Sequence, residues 1–528
     1  MKNTEPRRTR RKAFLSTQVP DPWFGSASVS AVVNDFRLVL FALVPAFALL
    51  ASCTVGPNYV RPTADTPATF KEMEGWKTAQ PRDQELHGKW WEAFNDPLLN
   101  DLQEQVSLSN QNLAQAAAQF RQARALVQSA RAGYWPGVTA GASATRSQSP
   151  SGFVSQNQNL NVRGPSTSYS LSLDAVWEAD LWGRVRRTVE SNEAGAQASA
   201  ADLEALRLSI QAELAQNYFQ LRALDAQKQL FDATIAAYQR SLALTQNQYA
   251  AGVVAKVDVI QAQTQLRTTQ AQALDIGVQR AQLEHAIALL IGKPASSYSL
   301  AAAALAATPP ALPVGMPASL LERRPDIAAA ERRMAAANAQ IGVAKAAYYP
   351  SLTLSASGGF QSSSFSNWLT APSRFWSLGP ALAQTLFDGG LRRAQTEQAI
   401  AAYDANVAGY RQTVLTGFKE VEDNLAALRI LEEEAAIQED AVQNARQSVA
   451  LTTNQYKAGI VSYLNVVIVQ AAALANERAA VDILNRRLAA SVLLIKALGG
   501  GWDASALPLP DELARSDATP GKGAAQTR

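Results

Sequence analysis

The sequence predicts an α+β membrane protein made of two similar halves, each with a pair of β-strands and a pair of very long helices. Three observations predict this class. The chain repeats itself internally, each half contains Ser/Gly/Thr-rich stretches with apolar residues at every second position, and long stretches carry apolar residues at coiled-coil spacing.

The internal repeat is visible as two ordered sequence matches. Residues 133–139 (GYWPGVT) match residues 347–353 (AYYPSLT) at an offset of 214, and residues 247–254 match residues 454–461 at an offset of 207. Such similar offsets indicate a duplication. The proline-rich segment 308–313 lies between the halves and is typical of a linker.

Five segments follow from these matches and from the ends of the chain. We predict a signal peptide at 1–52, a lipidated N-terminal segment at 53–97, a first repeat at 98–305, a second repeat at 318–502 and a flexible C-terminal tail at 503–528. The tail is predicted from its proline and glycine content.

The strand prediction rests on period-two alternation after a Tyr/Trp-Pro sequence in each half. The alternating apolar positions are Val138, Ala140, Ala142, Ala144, Tyr169, Leu171, Leu173 and Ala175 in the first half, and Leu352, Leu354, Ala356, Gly358 and Phe360 in the second, followed by the stretch 373–386. This is the weak signal of a membrane-barrel strand, and a soluble hairpin is the alternative. Four aromatic residues stand where an interfacial girdle would lie: Tyr134, Trp135, Tyr348 and Tyr349.

The helix prediction rests on apolar positions between 203 and 249 that step by threes and fours, with a gap at Lys228. The predicted helices cover 98–132, 183–250 and 257–291 in the first half, and 325–346, 389–457 and 464–498 in the second. Sixty-odd residues at 1.5 Å each reach roughly 100 Å, which no compact globule accommodates. Gly292 and Gly499 are suitable helix stops.

Four strands cannot close a membrane barrel, because the smallest such barrels have about eight. An unclosed sheet leaves free edges, so the chain must share its barrel with other copies. Two chains would give about eight strands and a filled interior, and three would give about twelve and an open lumen.

The N-terminus resembles the leader of a bacterial lipoprotein. An apolar run at 38–52 follows Arg37, and the sequence Leu-Ala-Ser-Cys closes it at Cys53, the only cysteine of the chain. This pattern predicts lipid attachment at Cys53, with an ordinary signal peptide as the alternative. Because residues 1–36 are long for a leader, we expect that the start is over-extended and that translation begins near Val33.

The residue inventory argues against an enzyme and against nucleic-acid binding. Residues 1–52 hold seven of the 48 Lys and Arg and three of the 45 Asp and Glu, so 41 bases and 42 acids remain after them. Two histidines and one cysteine leave no metal cluster or His-based catalytic set, and no P-loop or Gly-rich cofactor turn is found. We expect no catalytic residue, no cofactor and no metal.

Several motifs now converge on one family. They are the segment 53–62 (CTVGPNYVRP), Trp90-Trp91 with Phe94, Asp96 and Pro97, the segment 321–327 (LERRPDI), and the two Tyr-x-x-Gly sequences at 249–252 and 456–459. Together they resemble the TolC-like outer membrane factors, and specifically the lipoproteins of RND-type (NodT-type) efflux systems. The resemblance covers residues 53–502.

The resemblance implies a homotrimer with a twelve-stranded outer-membrane barrel, continued by a periplasmic α-helical coiled-coil barrel. It implies a channel in the outer membrane of a Gram-negative bacterium that passively exports small molecules such as drugs. The implied partners are outer-membrane lipid, a periplasmic adaptor and an RND-type inner-membrane transporter. An exit duct for type I protein secretion and a lipid-anchored coiled-coil scaffold without a pore are the alternatives.

The resemblance also implies a gate at the periplasmic helix tips. Gly252 and Gly459 are expected to turn each helix back with positive φ. Asp258 and Tyr456 fall on family positions that hydrogen-bond to hold the end closed.

The expected constriction is apolar. Family members often carry acidic rings at the positions of Asn465 and Ile468, and this chain has none there. We expect Leu464 to form the narrowest ring, with simple packing between helices as the alternative.

Overall fold

The computed structural model describes residues 54–64, 66–73, 88–148, 165–310 and 320–515. The chain forms two units, Met1–Thr54 and Val55–Arg528, and every element described below belongs to the second unit. The predicted signal peptide and Cys53 lie outside the described residues.

Helices and strands alternate in the same order in both halves. The first half contains α1 (Pro97–Ser109), α2 (Gln111–Ala132), β1 (Gly137–Ser147), β2 (Ser166–Ala179), α3 (Arg184–Ala250) and α4 (Lys256–Leu290). The second contains α5 (Pro325–Ala346), β3 (Ser351–Ser362), β4 (Arg374–Ala383), α6 (Leu391–Lys457) and α7 (Tyr463–Ala497), followed by the short α8 (Pro510–Ala514).

The predicted duplication is confirmed by the lengths and spacing of the helices. Helices α3 and α6 have 67 residues each, and α4 and α7 have 35 each. Helix α6 begins 207 residues after α3, and α7 begins 207 residues after α4. Helices α2 and α5 have 22 residues each and begin 214 residues apart. The change of offset therefore falls within the strand region of the repeat.

The predicted helix over 98–132 is wrong in one respect, because it is interrupted at Asn110. The Asn110 side-chain oxygen accepts from the backbone N–H groups of Asn112 and Leu113, and so caps α2. Its side-chain nitrogen donates to Leu290 O at 2.7 Å, at the end of α4. Asparagine is a strong N-cap residue, and here the cap outweighs the continuity of the helix.

The tail prediction is also wrong for residues 503–515. Asp503 caps a short turn by accepting from Ser505 N, and α8 follows. Leu513 is fully buried and packs with Val127 and Ala196. Apolar burial fixes this segment despite its prolines, whereas residues 516–528 lie outside the described residues.

The four strands form one antiparallel sheet in the order β1-β2-β3-β4. Among the described residues, β1 and β4 each have only one neighbouring strand, so both are edge strands.

Among the described residues, no helix combines the length and hydropathy needed to cross a bilayer.

Both long helices begin in the same way where they leave the sheet. Gly183 and Gly390 take positive φ immediately before the first helical residue. Asp180 accepts from the N–H groups of Val185 and Arg186, and Asp388 plays the same part for α6. A carboxylate at a helix N-terminus satisfies free N–H groups and opposes the helix dipole.

The main hydrophobic core lies where the shorter helices pack around the middle of α3 and α6. Trp90, Phe219 and Leu425 are among its buried members. Most apolar burial is therefore concentrated at one level of the long helices.

Arg324, within the segment 321–327, connects helices of the second repeat near the main hydrophobic core. Its guanidinium makes a two-pronged contact with Asp326 at 3.0 and 2.6 Å and donates to Glu420 at 2.7 Å. It also donates to Ala497 O at 3.1 Å, so one buried side chain joins the start of α5 to α6 and to the end of α7. The contacts of this motif are structural.

We expect Arg324→Leu to lower the free energy of unfolding by about 3 kcal/mol, because it removes one partner of a buried, hydrogen-bonded ion pair. Arg333→Leu is the matched control. Arg333 lies on the same helix and binds Asp202 with both side chains about half exposed, so its loss should cost less than about 1 kcal/mol. Guanidinium titration followed by far-UV circular dichroism would measure both, and equal losses would contradict the account.

Candidate functional site

The two helix tips have the same backbone geometry. At the end of α3, Val253 N donates to Gln248 O at 2.8 Å and Gly252 has φ 72°. At the end of α6, Ile460 N donates to Gln455 O at 2.9 Å. This is the Schellman arrangement, in which a residue of positive φ reverses the chain and satisfies the last carbonyls.

Gly459 occupies the corresponding position of the second tip, with φ 76°. A side chain there would be strained whatever the space, because only glycine adopts this φ readily. Both predicted tip glycines therefore lie at the reversal of direction between paired helices.

The two return helices start differently. Asp258, in the first turn of α4, accepts from Ala255 N at 3.2 Å and so caps its own helix. Asn465 stands 207 residues later and occupies the same place in α7, where its side chain makes no hydrogen bond in the described part of the chain. The duplicated turn has thus lost its carboxylate cap in the second repeat.

Three of the predicted gate residues lie together on one exposed face of α7. Leu464 is 48 % exposed, Ile468 is 56 % exposed, and Asn465 lies between them. The opposite face is buried, with Tyr463 and Val466 each 1 % exposed. The candidate gate side chains therefore point away from the packing of their own chain.

Tyr456 does the opposite and packs into its own chain. Its hydroxyl shares a hydrogen bond of 3.2 Å with Thr245 Oγ1 on α3, and its ring lies edge-on to Tyr463 at 5.4 Å between centroids. Among the described residues no hydrogen bond joins Tyr456 to Asp258, whose carboxylate accepts from the backbone N–H of Ala255, so the Asp258–Tyr456 bond that the family resemblance implies stays a prediction.

These contacts make a buried cluster that joins α3 and α4 to the second tip. Ala262, Tyr456, Tyr463 and Val466 are its buried members. Burial raises the pKa of Tyr463 to about 12. Burial is also the main cause of the raised pKa of Tyr456, to which the charge of Asp258 adds a smaller part. The cluster is held together by neutral phenols and apolar contacts.

Thr245 and Tyr463 were not predicted from the sequence, although Thr245 left a signal. Leu242 and Tyr249 are consecutive apolar positions of the α3 pattern, although they are seven residues apart. The core position between them is occupied by Thr245, which is fully buried. A threonine at a core position of a coiled coil indicates a buried hydroxyl with a partner. No comparable signal marks Tyr463.

The sheet supplies the second half of the site, because its two faces differ. The strand register places one set of side chains on a common face: Val138, Ala140, Ala142, Ala144 and Arg146 on β1; Thr167, Tyr169, Leu171, Leu173, Ala175, Trp177 and Ala179 on β2; Leu352, Leu354, Ala356, Gly358, Phe360 and Ser362 on β3; and Arg374, Trp376, Leu378, Pro380 and Leu382 on β4. We call this the outward face. It is apolar along most of its length, and Trp376 is 82 % exposed.

The other face is polar. It carries mainly Ser, Thr, Gly and Gln, and Asp174 accepts there from Ser172 at 2.7 Å and from Ser357 at 2.5 Å. We call it the inward face. Alternation of this kind is typical of strands between lipid and an aqueous lumen.

Aromatic side chains mark both ends of the sheet. Tyr134, Trp135, Tyr348 and Tyr349 lie partly or largely exposed at the end where the helices join. Tyr169, Phe365 and Trp368 cluster at the far end, with ring centroids 5.4 to 6.1 Å apart. The strand between Leu352 and Phe360 spans roughly 26 Å, close to the height of an outer-membrane apolar band.

A sequence profile of the outer membrane efflux protein family matches residues 102–293 and 316–500. The chain belongs to this family. The two matched segments fall on the two halves of the duplication, and each includes one helix tip and one strand pair.

Individual members of the outer membrane efflux protein family are similar along most of the chain. The toluene efflux pump outer membrane protein TtgF of Pseudomonas putida is 32 % identical over 462 residues, covering 86 % of this chain and 95 % of that protein. The solved outer-membrane channel OprN is 33 % identical with a TM-score of 0.80, covering 85 % and 100 % of the two chains. The open-state channel MtrE of Neisseria gonorrhoeae is 27 % identical with a TM-score of 0.76, covering 86 % and 99 %.

Thr245→Val should loosen the second tip, because it removes the hydrogen bond between α3 and Tyr456. We expect the amides of residues 463–470 to exchange about fivefold faster, which corresponds to about 1 kcal/mol. Tyr456→Phe should act similarly, and the double variant should add little to either single change. Thr452→Val, at the equivalent place on α6, is the control. If it accelerated exchange as much as Thr245→Val, the proposed contact would not be the cause.

Proposed function

We propose that this chain is the outer-membrane exit duct of a tripartite efflux pump, through which small molecules such as drugs leave passively. One observation carries the proposal. A four-stranded sheet with an apolar outward face, a polar inward face and two free edges stands at the ends of two 67-residue helices. A relative of this chain, TtgF, is named as the outer membrane protein of a toluene efflux pump, which supports this proposal.

Three copies are needed to make the duct. Pairing β1 of one copy with β4 of the next leaves no free edge, and three copies give about twelve strands and an open lumen. The polar inward faces then line that lumen. The long helices, roughly 100 Å each, continue the wall away from the membrane into the periplasm.

The ends of these helices lie far from the sheet, where a periplasmic adaptor and an RND-type inner-membrane transporter would dock. No nucleic acid is involved. The duct takes part as a passive conduit and has no catalytic role.

Lipid attachment at Cys53 would strengthen the anchoring of the duct in the outer membrane. Val55 donates to Trp182 O at 3.1 Å, and the Trp182 ring stacks on Tyr349 at 4.7 Å where the sheet meets the helices. Val55 therefore lies at this edge of the apolar band.

Mass spectrometry of the mature chain should therefore find an acylated N-terminal cysteine. The modification should be absent from Cys53→Ser and retained in Thr54→Ser. An unmodified N-terminus in the mature wild type would contradict the anchor.

The gate of the duct would lie at the second helix tip. Leu464, Asn465 and Ile468 stand on the free face of α7, and three copies of that face around an axis would form an apolar ring. Apolar constrictions exclude water and ions without a charged lock. Tyr456 would keep the tip against α3, while Asp258 stabilises the neighbouring return helix.

Single-channel conductance in a planar bilayer tests the duct and its gate together. We expect a small, mostly closed conductance for the wild type and a severalfold larger one for Leu464→Ser, because a hydroxyl allows the constriction to hydrate. Ile437→Ser is the control, since Ile437 is exposed on the shaft of α6 far from the tip.

An unchanged conductance in Leu464→Ser would remove the gate but keep the duct. No conductance from any variant of a stable complex would favour a scaffold without a pore.

A further inference from the structure

The outward face of the sheet becomes polar and charged only at the end that lies far from the helices. Along the four described strands this face carries four polar residues that are not aromatic: Arg146, Thr167, Ser362 and Arg374. Its other polar groups are the phenol of Tyr169 and the indoles of Trp177 and Trp376. Those four lie at the far end, away from the helices. At the helix end the face stays apolar, with Val138, Leu352 and Leu382 in the outermost positions.

Arg146 and Arg374 are the two charged residues of this face, and both sit on edge strands. Arg146 lies on β1 opposite Thr167, and Arg374 lies on β4 opposite Phe360. Both side chains are exposed, and neither has an ion pair or hydrogen bond in the part of the chain that the structure describes. No acidic residue of the four strands shares their face, so their charge is uncompensated there.

The two arginines come together only when copies assemble. Within one chain β2 and β3 separate them, whereas closure of the barrel places β1 of one copy beside β4 of the next, roughly 5 Å away. Each seam between copies then carries one arginine from each side. This step depends on the trimer of the proposed function.

We propose that each seam binds the phosphate groups of lipid A, the phosphorylated glycolipid of the outer leaflet of the outer membrane. The far end of the sheet would lie in that leaflet, because the helices extend from the other end. Guanidinium groups bind phosphate oxygens through paired hydrogen bonds. Below the arginines the same face offers exposed apolar surface for acyl chains, including Trp376 and Leu378, which is 76 % exposed.

Binding of bis-phosphorylated lipid A to the detergent-extracted complex, followed by native mass spectrometry, tests the proposal. We expect Arg146→Ser/Arg374→Ser to weaken binding by about tenfold or more, as loss of charge-assisted hydrogen bonds predicts. Dephosphorylated lipid A should bind the wild type as weakly as lipid A binds this variant. Arg146→Lys/Arg374→Lys should retain part of the affinity, and it provides a second reading if the serine variant does not assemble.

The control removes two exposed arginines elsewhere. Arg240→Ser/Arg411→Ser, at exposed positions of α3 and α6 away from the sheet, should leave lipid A binding unchanged. Equal binding by Arg146→Ser/Arg374→Ser and the wild type would overturn the site. Equally strong competition by phosphatidylglycerol would overturn the assignment to lipid A, because any lipid phosphate would then suffice.

Conductance separates this inference from the function on which it rests. The arginine variants should conduct like the wild type, since the outward face does not line the lumen. Normal conductance with unchanged lipid binding would reject the lipid A site alone. A wild type that neither assembles nor conducts would reject the duct, and with it the seam.

Discussion

The two free edges of the sheet are the constraint on which the rest of the architecture depends. In the part of the chain that the structure describes, β1 and β4 each leave a row of backbone N–H and C=O groups unpaired, and such groups are costly in contact with lipid. The apolar outward face requires lipid and the polar inward face requires water. When copies share their strand edges, the backbone groups of β1 and β4 are paired. The closed sheet then encloses the polar face around water and leaves the apolar face in contact with lipid. A duct is the arrangement that follows from this pairing.

The two helix tips of the duplication share the same backbone conformation but differ in their side-chain contacts. Tyr249 and Tyr456 occupy equivalent places before the two tip turns, yet Tyr249 is 46 % exposed while Tyr456 is 5 % exposed and bonded to Thr245. Asp258 caps its helix, and its counterpart Asn465 faces outward with the candidate gate. The second tip thus combines a buried attachment on one face with an apolar free face on the other, which a movable gate requires.

Most of the architecture could be predicted from the sequence, because hydrophobic periodicity and the lengths of helices and strands are averaged over many residues. The long helices, the strand pairs and the offsets of 207 and 214 all rest on such patterns. Single side chains were harder to place. Asn110 breaks a helix through one cap, Leu513 orders a proline-rich segment through burial, and Thr245 acts through a partner 211 residues away. These contacts depend on which elements meet in space, and no local pattern contains that information. In the described residues of the single chain, Asp258 bonds to Ala255 N and Tyr456 bonds to Thr245, and neither contact could be predicted from the local sequence.

The most direct test of the shared barrel is the mass of the complex released from outer membranes in a mild detergent and measured by native mass spectrometry. We expect a single species of three chains, because three copies pair every strand edge and leave an open lumen. A single-chain species that still conducts ions would contradict it, since the edges of β1 and β4 would then have no partner in the membrane.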